Sequence, residues 1–230
     1  MNNIATTQAF CETHGNYEAK VFHALGKAIA MPCLECKKVE DEKKQKEAEF
    51  EANQKEAERL AIWTNKSGIP TIYRNFDNFA FKPTQIALKD YDYKKNLVLY
   101  GGVGTGKTMV ASYLGIKAIK NGMRVRYLYA NEIEKRVKAS WGTNLTEDDI
   151  MEQFIECDLL ILDEIGRVTY NDYLFKVFDS RYMNNKPTIL IGNIDVKEIP
   201  SILGDAISSR LRVNVKAYCF GTEDLRKADF

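Results

Sequence analysis

The chain has 230 residues, 45% of them hydrophobic and 28% charged, so it can bury a sizeable core and wholesale disorder is excluded. Thirty-three Lys+Arg oppose 32 Asp+Glu for a formal net charge of +1, so bulk charge argues neither for nor against a nucleic-acid partner, and any basic surface must be local. No run of about 18 apolar residues exists to span a membrane, and MNNIATTQAF lacks the charged and apolar regions of a signal peptide, so a cytoplasmic location is expected. Five cysteines, an odd number, in reducing surroundings argue against a disulfide framework.

Residues 1–36 hold both histidines and three of the five cysteines. Cys11 and His14, then Cys33 and Cys36, form C-x₂-H…C-x₂-C with 18 residues between the pairs. Four soft or borderline ligands in two x₂ pairs suit a closed tetrahedral zinc site of structural type. Gly15 and Pro32 flank the pairs, as tight knuckle turns require. The bland alternative is a set of unrelated reduced thiols. His23 lies between the pairs but lacks paired spacing and reads as a surface or ribbon residue; Cys157 and Cys219, in or beside apolar stretches, read as core thiols.

Residues 37–66 form a charged connector. Fifteen of the 23 residues from Lys37 to Arg59 are charged, with no Gly or Pro among them. Ala, Glu, Lys and Gln favour helix, while Val39, Phe50, Leu60, Ile62 and Trp63 are too sparse for a sustained heptad seam. The segment reads as a solvated helix, or as a helix that docks on a partner.

From Ser67 to residue 230 apolar runs alternate with helical patterns. Strands are expected at Asn96–Tyr100, Arg124–Tyr129, Asp158–Asp163, Pro187–Gly192 and Val213–Phe220. Helices are expected at Lys107–Lys120, Glu132–Trp141, Thr146–Cys157 and Asp172–Asn184, with Thr146 as an N-cap ahead of an acidic first turn. The fold class is therefore α/β: a doubly wound, mostly parallel five-stranded sheet with ligands at the carboxyl ends of its strands. The small zinc-binding module and the helical connector precede it.

Gly101, Gly102, Val103, Gly104, Thr105, Gly106, Lys107 and Thr108 satisfy G-x-x-x-x-G-K-[ST], between a strand and a helix. Glycines let backbone N–H groups converge on phosphate oxygens, and the helix N-terminus adds its positive end. Lys107 is expected to meet the β- and γ-phosphates of ATP, and Thr108 to put its hydroxyl on Mg²⁺. LLILDEIG at 159–166 brings Asp163 and Glu164 to a strand end. Asp163 would serve the Mg²⁺ shell and Glu164 would polarise the attacking water, which favours hydrolysis over nucleotide storage. Asn193, at the end of PTILIGN, would sense the γ-phosphate or orient the water; its alternative is a helix cap. Lys135, Arg136, Lys138 and Trp141 make a basic cluster with one aromatic, which reads as a nucleic-acid contact or as a solvated helix face ending in a core Trp.

SGIPTIYRNFDNF (67–79), GGVGTGKT (101–108), LLILDEIG (159–166), PTILIGN (187–193) and GDAISSRLR (204–212) together resemble the AAA+ P-loop ATPases of the DnaC/DnaI helicase-loader group and the related IstB transposition helpers. The lead-in GIP…Y…F…F is the most discriminating piece. The resemblance implies that Asn193 is the sensor-1 residue and Arg210 an arginine finger acting on ATP in the adjacent protomer. Arg226 sits roughly where a sensor-2 arginine would, with only four residues following, so a full helical lid is not expected. Phage-type loader relatives carry a similar zinc module ahead of the ATPase. The implied partners are a hexameric, DnaB-like replicative helicase, single-stranded DNA and further copies of the chain in a spiral or ring. ATP turnover would be weak until assembly and would serve as a release switch. An IstB-like helper of DNA transposition is the alternative; a small-molecule kinase is disfavoured by the Asn193 and Arg210 arrangement.

Overall fold

A computed structural model describes residues 6–24, 27–75, 83–168 and 172–225. The chain divides into two compact units, residues 1–59 and 60–230.

In the first unit, β1 (Thr6–Cys11), β2 (Gly15–Ala24) and β3 (Lys27–Ala30) form an antiparallel sheet in the order β1-β2-β3. Gly15, at φ 78°, turns the chain from β1 into β2, a left-handed conformation that suits glycine. The long helix α1 (Leu34–Ser67) begins in this unit, and Lys37 N–H donates to the Cys33 carbonyl at its start. Its charged surface is exposed along most of its length. Its apolar residues are too scattered to bury a stripe: Val39, Phe50 and Ile62 are all exposed.

The second unit is built on a five-stranded sheet: β4 (Asn96–Tyr100), β5 (Val125–Tyr129), β6 (Leu159–Asp163), β7 (Thr188–Gly192) and β8 (Val215–Cys219). Their order is β5-β6-β7-β4-β8 and every pairing is parallel. The continuous apolar runs of β6 and β7 are buried at every position, because helices cover both faces. Leu160, Leu162 and Leu190 face one core, packed by α3 (Glu132–Ser140), α4 (Glu147–Ile155), α5 (Asp172–Met183) and α6 (Ile199–Val213). Leu159, Ile161, Ile189 and Ile191 face the other, packed by α2 (Lys107–Lys120) and Ile69. The chain leaves β4, forms β5, β6 and β7 in turn, and returns to lay β7 beside β4. That reversal opens a crevice at the carboxyl end of β4.

The expected strands and helices are present within a residue or two, and Thr146 forms a full capping box with Asp149 at the start of α4. Three expectations are corrected. Helix α6 was not anticipated; Gly204, at φ 77° and ψ 159°, interrupts it. Cys219 is exposed, not a core thiol, because β8 is the sheet edge and none of its residues is fully buried. Trp141 is not a core residue: it is 59% exposed and its ring N–H donates to Glu147 Oε1 at 2.7 Å. Cys157, by contrast, is buried, and burial pushes its thiol pKa up. No helix among the described residues is long and apolar enough to cross a membrane.

Candidate functional site

The crevice at the end of β4 is a cleft of about 430 Å³. Gly104, Thr105, Gly106, Lys107 and Thr108 line it on one side, Asp163, Glu164 and Asn193 on another, and Pro70, Ile72 and Tyr73 close a third. With Tyr129 and Leu225, six separated stretches of sequence thus meet in one concavity. Gly101, Gly104 and Gly106 adopt φ of 131°, 74° and 91°, backbone conformations that side-chain-bearing residues rarely hold. Lys107 is 5% exposed; its ammonium donates to the Gly101 carbonyl at 3.0 Å, to the Gly102 carbonyl at 2.5 Å and to Thr105 Oγ1 at 3.3 Å. The loop's own carbonyls thus hold an ammonium at the place where phosphate oxygens are its natural partners.

Asp163 is buried at the end of β6. Thr108 Oγ1 donates to its Oδ2 at 2.8 Å, Tyr127 Oη to the same oxygen at 2.5 Å, and Glu164 N–H to its Oδ1 at 2.7 Å. A hydroxyl and a carboxylate in contact beside a buried lysine are hard oxygen donors of the kind Mg²⁺ takes together with nucleotide phosphates, so these residues fit that ion. Burial, with the Asp163 charge beside it, pushes the Tyr127 phenol far above its ordinary pKa, so it remains a donor at any physiological pH. Glu164 sits at φ 55°, in the left-handed region, and its carboxylate is 3.1 Å from Arg167. A non-glycine residue held there just after a buried strand is a strained position, of the kind found at functional sites. Asn193 is exposed at the cleft wall.

Close packing explains the lead-in motif. Gly68, at φ 82°, lies so near β5 that a Cβ there would come within 2.4 Å of the Tyr127 carbonyl oxygen. Ser67 Oγ accepts from Ile69 N–H, and Ile69 is fully buried, its Cδ1 in the space above Gly115 of α2. The glycine and isoleucine of GIP thus clamp the segment onto the sheet, which brings Pro70, Ile72 and Tyr73 to the cleft. Phe76 and Phe79 of that motif, and Arg226, lie outside the described residues.

Arg210, on α6, does not line the cleft of its own chain. Its guanidinium lies 2.6 Å from Asp179 Oδ1 through both Nε and Nη2, donates to the Ala206 carbonyl at 3.0 Å, and stacks 4.9 Å from the Phe175 ring centre. The basic cluster on α3 is largely matched along its own helix. Arg136 pairs with Glu132 and Lys138 with Glu134 at i,i+4 spacing, which favours the solvated-face reading.

In the first unit, Cys11, His14, Cys33 and Cys36 gather with all ligand atoms within 4.8 Å of one another. His14 Nδ1 is 3.6, 3.7 and 3.3 Å from the sulfurs of Cys11, Cys33 and Cys36, and the Cys11 and Cys36 sulfurs are 3.4 Å apart. Zn–S bonds of about 2.3 Å and Zn–N bonds of about 2.0–2.1 Å give a tetrahedron with edges of roughly 3.5–3.8 Å, so this donor set fits zinc in both chemistry and size. The His14 backbone N–H holds the Cys11 thiol down to about 6, whereas Cys36, sharing a hydrogen bond with Cys11, is pushed up to about 11. The side chain of His23 lies outside the described residues.

Sequence reasoning missed Tyr127. Its position two residues before the end of a neighbouring strand was readable, but the parallel register that brings it to Asp163 was not.

A family model described as "IstB-like ATP binding protein" matches residues 50–211. The replicative helicase loader DnaC of Buchnera aphidicola subsp. Baizongia pistaciae (strain Bp) is 28% identical over 166 residues, covering 64% of this chain and 68% of that protein. Among solved structures, the DnaC helicase loader superposes with a TM-score of 0.54 at 19% identity, over 65% of this chain and 99% of that one. DnaI superposes with a TM-score of 0.55 at 18% identity, over 66% and 94%. At these identities the two superpositions show a shared fold and nothing beyond it.

Proposed function

This chain belongs to the IstB-like ATP binding protein family, and on that premise we propose that it is a helicase loader, an ATPase that delivers a hexameric replicative helicase onto single-stranded DNA. The observation that carries the ATPase part is the contact of Thr108 with Asp163 at the mouth of the glycine-rich loop, with Glu164 and Asn193 on the same cleft wall. The loader part rests on the likeness to DnaC proteins.

In this reading Gly101–Thr108 cradles the triphosphate and Lys107 trades the loop carbonyls for β- and γ-phosphate oxygens. Magnesium, when bound by Thr108 and Asp163, supplies neutralisation of phosphate charge. Glu164 accepts a proton from water as the water oxygen bonds to the γ-phosphorus; the bond to the β–γ bridging oxygen breaks, giving ADP and phosphate. Asn193 orients that water or reads the γ-phosphate. Arg210 serves the neighbouring protomer, exchanging Asp179 for a γ-phosphate and so making turnover depend on assembly into a spiral or ring. Residues 1–36 form the zinc module held by Cys11, His14, Cys33 and Cys36, residues 37–66 the connector, and residues 67–230 the ATPase domain.

The test is capture of a purified replicative helicase hexamer by the full chain with ATP, followed by its transfer to single-stranded DNA as ATP is consumed. Helicase capture and transfer support the loader reading. Binding to a transposase in place of the helicase, with remodelling of duplex DNA, would instead establish the IstB-like transposition reading.

A further inference from the structure

We propose that the Tyr127 hydroxyl is a positioning group for the nucleotide's metal, holding the Asp163 carboxylate in the orientation that receives magnesium. The inference rests on the nucleotide-site reading above and adds a residue from a strand that carries none of the recognised motif.

Tyr127 and Asp163 occupy neighbouring parallel strands, with Tyr127 opposite Ile161 and Asp163 two residues further on. Both Tyr127 and Ile161 lie on the α2 face of the sheet, and alternation returns Asp163 to that face. The tyrosine therefore leans diagonally, and its Oη reaches Asp163 Oδ2 at 2.5 Å. From the other side Thr108, at the first turn of α2, reaches the same oxygen at 2.8 Å, and the Glu164 backbone N–H holds Oδ1 at 2.7 Å. A carboxylate has about four acceptor positions. Three are taken by donors from three separate elements, so the remaining position is fixed in direction. Of the three donors, Thr108 is itself a ligand candidate and Glu164 contributes only backbone. Tyr127 is 5% exposed, and its ring is locked by packing against the second core. A rigid, buried donor to a ligating carboxylate is the arrangement by which outer groups tune metal affinity.

The test uses the full chain, a fluorescent ATP analogue and a magnesium titration, with nucleotide affinity as the readout. Tyr127→Phe removes one oxygen and keeps the ring; Tyr127→Leu removes ring and oxygen together. Both variants are expected to keep the wild-type affinity without magnesium, and to need about tenfold more magnesium for half-maximal tightening of nucleotide binding. Tyr127→Phe with the wild-type magnesium requirement overturns the proposal and leaves the nucleotide reading intact. So does an equal loss of affinity with and without magnesium, or loss of the fold in Tyr127→Phe, since either would make the hydroxyl a structural group. Wild-type protein whose nucleotide binding ignores magnesium overturns both.

Discussion

Stripping metal from the cysteine-histidine cluster should unfold the head and spare the second unit. Among the described residues of the first unit, only Ala19 and Cys33 are buried apolar side chains. Burying two such small groups contributes on the order of 1–2 kcal/mol. A three-stranded meander with one exposed face, bearing Phe10 at 72% and Phe22 at 48% exposure, has no other core among the described residues to hold it. Structural zinc in small modules carries about 10–16 kcal/mol of apparent binding free energy near neutral pH, several times the apolar contribution. The second unit has two extensive cores of its own and needs no metal to keep them. Elemental analysis should find one zinc per chain. A strong chelator should then make residues 6–30 protease-sensitive, while magnesium-free nucleotide binding persists. Metal-free protein whose head resists protease as well as the untreated protein does would refute this reasoning.

Glu164→Gln should bind ATP with wild-type affinity and turn it over about 10²–10⁴-fold more slowly, the range for loss of a general base, as read by phosphate release and fluorescent-nucleotide binding. Arg181→Met should cost about 3–5 kcal/mol in urea unfolding, because a fully buried guanidinium donates to Thr188 Oγ1 and the carbonyls of Phe154, Cys157 and Pro187, and an apolar side chain replaces none of those hydrogen bonds. An unchanged midpoint would show that water replaces it. Gly68→Ala should destabilise by about 1–3 kcal/mol, since its φ of 82° and the Tyr127 carbonyl oxygen 2.4 Å from the new Cβ both oppose a side chain; the same unfolding curve checks it.

Legibility in the sequence followed burial. The runs LLILD and TILIG could be read as strands because both faces are covered, so every residue before the closing Asp163 of the first run, and every residue of the second, is apolar or small. Helix α6 carried its signal as well: Ile199, Leu203, Ile207 and Leu211 recur at four-residue spacing and all are buried. Pro200 and Gly204 masked it, although Pro belongs in a first turn and Gly204 only kinks the helix. The strands of the head were missed because TTQAF and its neighbours are largely exposed and show no clean alternation. Site residues contributed by motifs were legible from spacing alone, since strand–loop–helix geometry fixes where they end. Tyr127 and Arg181 were not, because their partners come from strand register and from the carboxyl end of α4. The Asp179 partner of Arg210 likewise depends on how α5 and α6 cross.

In the proposed mechanism, protomers complete one another's nucleotide sites. Lys107→Ala leaves a chain with an intact arginine but no competent loop; Arg210→Ala leaves the reverse. Each variant alone should be nearly inactive as an ATPase in the presence of helicase and single-stranded DNA. Mixing the two should restore turnover, because some interfaces then join the good loop of one variant to the good arginine of the other. A mixture as inactive as its components, or an Arg210→Ala protein as active as wild type, would contradict a shared site.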